Sequence, residues 1–297
     1  MVTKFRAIVE LARPTNILLV FAAVVFGAAL ALPPGACPTS GWREALGLLL
    51  AAAAALSLVA AGGYALNDRV DLAADRINRP GRPLPAGHLS PRSAVVFCVC
   101  AWAAAIGLTI LGPPAGHVIV PFCILLSAVY ALRLKHTGLA GNLAVALMTS
   151  LALAYGATAT GGLDRVIPLA ALAFLVNLSR EIFKDVEDLP GDVETGERTL
   201  AVRLGEGTAR LVGSSVAFAV TPALALFYFY DRLFWVDALA VAVGMALPLV
   251  IVGVYGLGRT GEAGRVQRWL KASMFCGLAT LLLGRTVYWL VMSGYLG

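Results

Sequence analysis

Two stretches of this 297-residue sequence gather oxygen ligands at helical spacing. In the first, GGYALNDRVDLAADRINRPGRPLPAG (residues 62–87), Asn67, Asp71 and Asp75 stand at i, i+4 and i+8, and Asp68 adjoins them. At about 100° per residue all four fall within an arc of ~100°, so a helix continued past Leu66 carries them as one acidic stripe. In the second, NLSREIFKDVEDLPGDVETGER (residues 177–198), Glu181, Asp185 and Asp188 stand at i, i+4 and i+7, with Asp192 at i+11. Pro190 and Gly191 are expected to end that helix, which puts Asp192 on the following loop. Carboxylates crowded on one face repel each other unless cations neutralise them. Hard oxygen donors at this density suit Mg²⁺, which takes one or two protein carboxylates and completes its shell with water and phosphate oxygens. One such stretch alone reads equally well as a solvated helix end. Two of them favour a pair of clusters holding two or more ions bridged by a diphosphate.

Bases are interleaved with these acids. Arg76, Arg79 and Arg82 follow the first stripe, and Arg180 and Lys184 lie within the second. Guanidinium groups bind phosphate oxygens bidentately. The run NRPGRPLPAG, with three prolines and two glycines, is a rigid non-helical loop. It serves either as a lid over the site or as a plain connector.

The elements that must position these groups are membrane spans. Hydrophobic residues make up 59% of the chain and charged residues only 13%, with a mean hydropathy of +0.83, whereas soluble domains carry about a quarter charged residues. Nine apolar runs, at 15–32, 44–66, 93–111, 117–132, 139–159, 165–182, 209–230, 234–256 and 269–292, each approach the ~20 residues that cross a bilayer. With the N-terminus inside, nineteen Lys and Arg fall on inner segments and only Arg43, Arg165 and Arg232 on outer ones, while Arg285 lies within the last span without an assignable partner. This places the N-terminus and both Asp-rich stretches on the cytoplasmic side of the cell membrane. The net charge of +6 then reflects topology and anionic headgroups, so no nucleic-acid partner follows from it, and no protein partner is implied. The amphipathic basic segment MVTKFRAIVELARPTN has no small-residue cleavage site. Five cysteines, at 37, 98, 100, 123 and 276, are scattered; Cys98 and Cys100 sit ~200° apart on a helix and face away from each other.

NDRVDLAADRINRPGRPLPAG resembles the NDxxDxxxD motif and following loop of the UbiA superfamily of intramembrane prenyltransferases. DVEDLPGD is similar to that family's second Asp-rich motif, YALRLKHTGLAGN (Tyr130 to Asn142) to its tyrosine–lysine segment, and RPTN (Arg13 to Asn16) to the start of its first helix. The motifs occur in the family's order across most of the chain. The resemblance implies an all-α integral membrane protein: one domain over 1–297, with nine transmembrane helices around a central cavity and Asp-rich loops forming a cytoplasmic cap. It implies that Asn67, Asp68, Asp71, Asp75, Asp185, Asp188 and Asp192 are ligands of a Mg²⁺ cofactor. Of these, Asp71, Asp75, Asp188 and Asp192, together with Lys135, are the expected catalytic set. Arg76, Arg79, Arg82, Lys135, Lys184, Arg180 and Tyr130 would contact the diphosphate, and Arg13, Asn16, Asn142 and Asn177 the acceptor.

INRPGRPLPAG and REIFKDVEDLPGD are most similar to the archaeal members that add a geranylgeranyl group from its diphosphate to a glycerol phosphate lipid. Members with aromatic acceptors, such as 4-hydroxybenzoate, share the metal motifs. A divalent-cation transporter would place ionisable groups near the midplane. The interiors of the third, fifth, seventh and eighth runs lack Asp and Glu, which favours an enzyme over a transporter. Intact motifs argue against a member that only binds prenyl lipids.

Overall fold

The computed structural model describes residues 4–32, 42–229, 235–243, 249–250 and 263–292. Cys37, Arg232, Arg259 and most of the expected span 234–256 lie outside the described residues. Among the described residues there is no strand. The helices are α1 (Lys4–Ala12), α2 (Pro14–Ala31), α3 (Trp42–Val70), α4 (Leu72–Asn78), α5 (Pro91–Leu108), α6 (Gly116–Leu132), α7 (Leu139–Thr158), α8 (Leu163–Thr195), α9 (Leu200–Leu204), α10 (Glu206–Phe229), α11 (Trp235–Val241) and α12 (Ala263–Met292).

Seven of the described helices are long and apolar enough to cross a membrane: α2, α3, α5, α7, α8, α10 and α12. The 17-residue α6 coincides with the fourth expected span but is a shorter apolar helix. The chain is thus a multi-pass all-helical membrane protein. Helix ends follow local chemistry. Ser90 caps α5 by accepting the Ser93 amide at 3.1 Å, with Pro91 in the first turn.

Two helices outrun their apolar spans and carry the acidic stretches beyond them. Helix α3 runs to Val70, and its hydrogen-bond ladder continues through Asp71 (amide to Asn67 O, 2.8 Å) into α4. Helix α8 runs to Thr195, which corrects the expectation that Pro190 and Gly191 end it and leave Asp192 on a loop. A proline removes one amide donor from the ladder. Pro190 and Gly191 are exposed, where a loosened turn would meet no packed neighbour. The helix stops instead at Gly196, whose φ of 72° is the left-handed C-terminal signal. Asp185, Asp188 and Asp192 therefore share one helix at i, i+3 and i+7.

The chain divides into two compact units. The first comprises Met1–Ala29, Ser40–Leu134 and Leu151–Gly161. Its centre is α3, packed by α5 and α6. The Gly62–Gly63 pair allows that approach: a Cβ on Gly62 would meet the Trp102 indole and the Cys98 carbonyl, and one on Gly63 the Ser127 hydroxyl. Trp102 donates its indole N–H to the Val59 carbonyl at 3.1 Å. Cys98 is buried while Cys100 is exposed, as the opposed helical faces require.

The second unit comprises Leu30–Thr39, Lys135–Ser150 and Gly162–Gly297. Helix α8 is its axis, packed by α10 and α12, with α11 against α12. This unit also supplies the partner that sequence reasoning did not find for Arg285. Its Nε and Nη2 donate to the two carboxylate oxygens of Asp237 on α11 at 2.7 and 2.5 Å, and Nη1 donates to the Leu32 carbonyl at 2.7 Å. Arg165 donates to the neighbouring Ala31 carbonyl at 3.0 Å. A buried arginine is tolerated in a membrane span when paired in this way.

Candidate active site

In the first unit, the carboxylates converge on arginines. Asp68 and Asp75 are buried, Asn67 and Asp71 half-buried. Arg82 reaches back from the proline-rich loop and donates from Nη1 to Asp75 Oδ2 at 2.6 Å and to Asp68 Oδ1 at 3.3 Å. Arg13 Nη2 donates to the same Asp68 oxygen, and its guanidinium lies over the Tyr64 ring, 4.9 Å from the centroid. Arg13 holds a left-handed backbone (φ 55°) at the break between α1 and α2, a conformation that costs a non-glycine residue about 1–2 kcal/mol. Pro14, which follows it, starts α2 at the position where a missing amide matters least. Arg76 and Arg79 are exposed.

The proline-rich loop is a packed turn. Leu84 and Leu89 are buried with Ala7 and Leu11 of α1, Ala65 of α3, and Ala94 and Cys98 of α5. The amides of His88 and Leu89 both donate to the Pro83 carbonyl, at 3.0 and 3.2 Å. The loop thus folds over the end of α3 and delivers Arg82 to the carboxylates. Tyr130, also in this unit, is half-buried near the end of α6, and Asn16 is half-buried in the first turn of α2.

In the second unit, Asp185 and Asp192 accept from neutral donors, while Asp188 and Glu181 pair with cations. Asp185 is buried, and its Oδ2 accepts from Asn142 Nδ2 at 2.9 Å and from the Leu200 amide at 3.4 Å. Asp192 Oδ2 accepts from the Thr199 hydroxyl at 3.0 Å. Exposed Asp188 pairs with Lys184 one turn earlier at 2.9 Å, and Arg180 pairs with Glu181. Asn142 is thereby placed against a carboxylate, and the Asn177 amide donates to the Ala173 carbonyl at 3.2 Å. Lys135 is half-buried on the turn Leu134–His136. Thr199 was absent from the sequence reading. Its only signal there is a lone Thr seven residues beyond Asp192, a helical spacing that carries no meaning once the helix has ended at Gly196.

Among the described residues, no three His, Cys, Asp or Glu side chains are grouped closely enough to hold a metal ion by themselves. Mg²⁺ does not need three, because water and phosphate oxygens complete its shell. Two observations fit the first stretch to such an ion. The donors are hard oxygens whose charge is met here by guanidinium cations. In addition, Asn67 Oδ1 is buried with no hydrogen-bond partner, an acceptor that a cation would satisfy.

The sequence matches the UbiA prenyltransferase family over residues 19–278. It is 35% identical over 277 residues to digeranylgeranylglyceryl phosphate synthase of Methanopyrus kandleri, covering 93% of this chain and 98% of the relative. It is 36% identical over 303 residues to the protein of that name from Ignicoccus hospitalis, covering 96% and 93%. Among solved structures, the fold is similar to that of digeranylgeranylglyceryl phosphate synthase in membranes (TM-score 0.79, 22% identity, 95% of this chain and 98% of the other). It is also similar to a UbiA homologue from Archaeoglobus fulgidus bound to DMAPP and Mg²⁺ (TM-score 0.67, 16% identity, 92% and 98%). With motifs, helices and relatives in agreement, the chain belongs to the UbiA prenyltransferase family.

Proposed function

We propose that this prenyltransferase moves a geranylgeranyl group from its diphosphate to the sn-2 hydroxyl of geranylgeranylglyceryl phosphate, with Mg²⁺ as cofactor. The observation that carries the metal reading is the first acidic stretch. It combines a buried, unpartnered Asn67 oxygen with Asp68 and Asp75 already neutralised by two guanidinium groups. The acceptor assignment rests on the relatives' name and on the loop sequence 77–87. The reading extends to one domain of nine transmembrane helices, with the N-terminus on the cytoplasmic side and the two acidic stretches forming a cap there, as the distribution of Lys and Arg favours.

Asn67, Asp68, Asp71 and Asp75 from one stretch, and Asp185, Asp188 and Asp192 from the other, would hold Mg²⁺. When bound, the metal neutralises charge on the departing diphosphate. Arg76, Arg79, Arg82, Lys135, Arg180, Lys184 and Tyr130 add donors for the phosphate oxygens. The bond between the prenyl C1 and oxygen breaks, and its electron pair leaves with the diphosphate. The apolar helices keep water from the allylic cation that results. The acceptor hydroxyl forms the new bond at C1 and passes its proton to a carboxylate or to the released diphosphate. Arg13 and Asn16 grip the acceptor's phosphate.

Asp71→Ala and Asp188→Ala are each expected to abolish Mg²⁺-dependent transfer of labelled geranylgeranyl diphosphate by the purified protein. Transfer retained in both variants defeats the metal assignment. Geranylgeranylglyceryl phosphate and 4-hydroxybenzoate offered side by side to the wild type decide the acceptor, and labelled product from the aromatic acid alone overturns the lipid reading.

A further inference from the structure

The segment Thr199–Leu200 touches two of the three aspartates of the second stretch. Thr199 is 8% and Leu200 7% exposed. The Thr199 hydroxyl donates to Asp192 Oδ2 at 3.0 Å, and the Leu200 amide to Asp185 Oδ2 at 3.4 Å. Asn142 adds its donor to the same Asp185 oxygen, so both donors fall on one oxygen of that carboxylate. Gly138, at φ 70°, lies against the carbonyl of Arg198 and the amide of Leu200, where a side chain would crowd the turn from behind.

Thr199 is also the N-cap residue of α9, with an extended backbone (φ −61°, ψ 166°), yet its side chain makes no capping hydrogen bond. A threonine in that position normally turns its oxygen to the helix amides, a bond worth about 1 kcal/mol. Here the hydroxyl engages Asp192 instead. A neutral donor on a carboxylate fixes its plane and orientation without cancelling its charge. Outer-shell partners of metal ligands act in this way.

We propose that Thr199 is a positioning residue for prenyl transfer: its hydroxyl holds the Asp192 carboxylate in the orientation that ligates Mg²⁺, from a turn whose next amide does the same for Asp185. This rests on the reading of Asp185 and Asp192 as metal ligands. It adds a residue outside both acidic motifs whose work is done through a carboxylate.

The test uses the full-length protein in detergent, with Mn²⁺ as the probe followed by its electron paramagnetic resonance in the presence of inorganic diphosphate. Thr199→Val keeps the branched shape and loses the donor, and is expected to weaken Mn²⁺ binding about tenfold. The Mg²⁺ concentration for half-maximal transfer should rise by the same factor. Thr199→Ser should bind Mn²⁺ within about twofold of wild type and keep the wild-type melting temperature without metal. Asp192→Asn separates the two readings. If it leaves Mn²⁺ affinity unchanged, the ligand reading falls and this proposal with it. If it weakens Mn²⁺ binding while Thr199→Val does not, the positioning role alone is wrong. A Thr199→Ser as impaired as Thr199→Val marks a packing role and overturns the proposal. In the Asp192→Asn background, Thr199→Val should have no further effect; a full additional loss overturns the coupling.

Discussion

The two acidic stretches solve the same electrostatic problem differently. In the first, the cations are brought by tertiary structure: Arg13 comes from 55 residues before Asp68 and Arg82 from 14 after it. In the second, Asn142, Thr199 and the Leu200 amide donate to Asp185 and Asp192, and the cation nearest them, Lys184, comes from the same helix, where it pairs with Asp188. On the proposed reading, a metal ion approaching the first stretch would have to displace guanidinium from carboxylate, whereas at Asp185 and Asp192 it would meet carboxylates already oriented by hydrogen bonds. The displaced arginines would then stand beside the metal, where phosphate oxygens need donors. The first stretch would act as an exchange site and the Asp185–Asp192 pair as a preset one.

An ion pair outside both stretches gives the comparison its scale. Arg285 and Asp237 are 9% and 2% exposed and joined by two hydrogen bonds, far in sequence from either stretch. Nothing there exchanges, so Asp237→Ala leaves a buried guanidinium with its carboxylate partner gone. Breaking a buried pair from one side costs about 3–5 kcal/mol. Thermal unfolding in detergent should show a loss of that order, the largest of the series, and added Mg²⁺ should restore none of it. Restoration by Mg²⁺ would mean that ion pairs throughout the protein respond to the metal, and the distinction between fixed and exchangeable pairs would dissolve.

Arg82→Ala is the next largest. It strips Asp75 of its 2.6 Å partner and Asp68 of one of two. Arg82 is about one-fifth exposed, so part of the loss is relieved by water. Leaving charged acceptors short of a donor costs about 1–3 kcal/mol, expected as a lower melting temperature in the absence of metal. Here Mg²⁺ should recover much of the loss, since a divalent ion can take over the vacated charge. The same variant should show tighter Mg²⁺ binding alone and weaker binding of prenyl diphosphate. A melting temperature that Mg²⁺ does not raise makes Arg82 a fixed structural partner like Arg285.

What the sequence disclosed, and what it hid, follows the same division. Apolar run length placed the spans well: 15–32 against α2, 139–159 against α7 and 209–230 against α10. That signal is local, because crossing a bilayer demands ~20 apolar residues in a row. The acidic stripes were legible for the same reason, since i, i+4 spacing sets a helix face. The end of α8 was not. Pro190 and Gly191 argue locally for a stop, but they are exposed, the helix runs through them, and the decisive signal is Gly196. Partners separated by long stretches of chain were also invisible. Asp237 is 48 residues from Arg285, and Asn142 is 43 from Asp185, distances at which no periodicity speaks. Thr199 was hidden more simply, because a threonine carries no charge to draw attention to it.

The smallest effect should come from Lys184. Its pair with Asp188 spans one helical turn at 2.9 Å, with both side chains nearly half exposed (45% and 46%). Exposed i, i+4 pairs contribute about 0.3–0.5 kcal/mol and are screened by salt. Lys184→Ala should therefore barely move the melting temperature in metal-free buffer, and less still at high ionic strength. If Lys184 binds diphosphate, its loss should appear as a higher KM for prenyl diphosphate at nearly constant stability. The opposite pattern, a clear drop in melting temperature with KM unchanged, would make Lys184 a structural counter-ion in the manner of Arg285. The second stretch would then depend on a cation for its stability as the first does, and the contrast between an exchange site and a preset one would narrow to Asp185 and Asp192 alone.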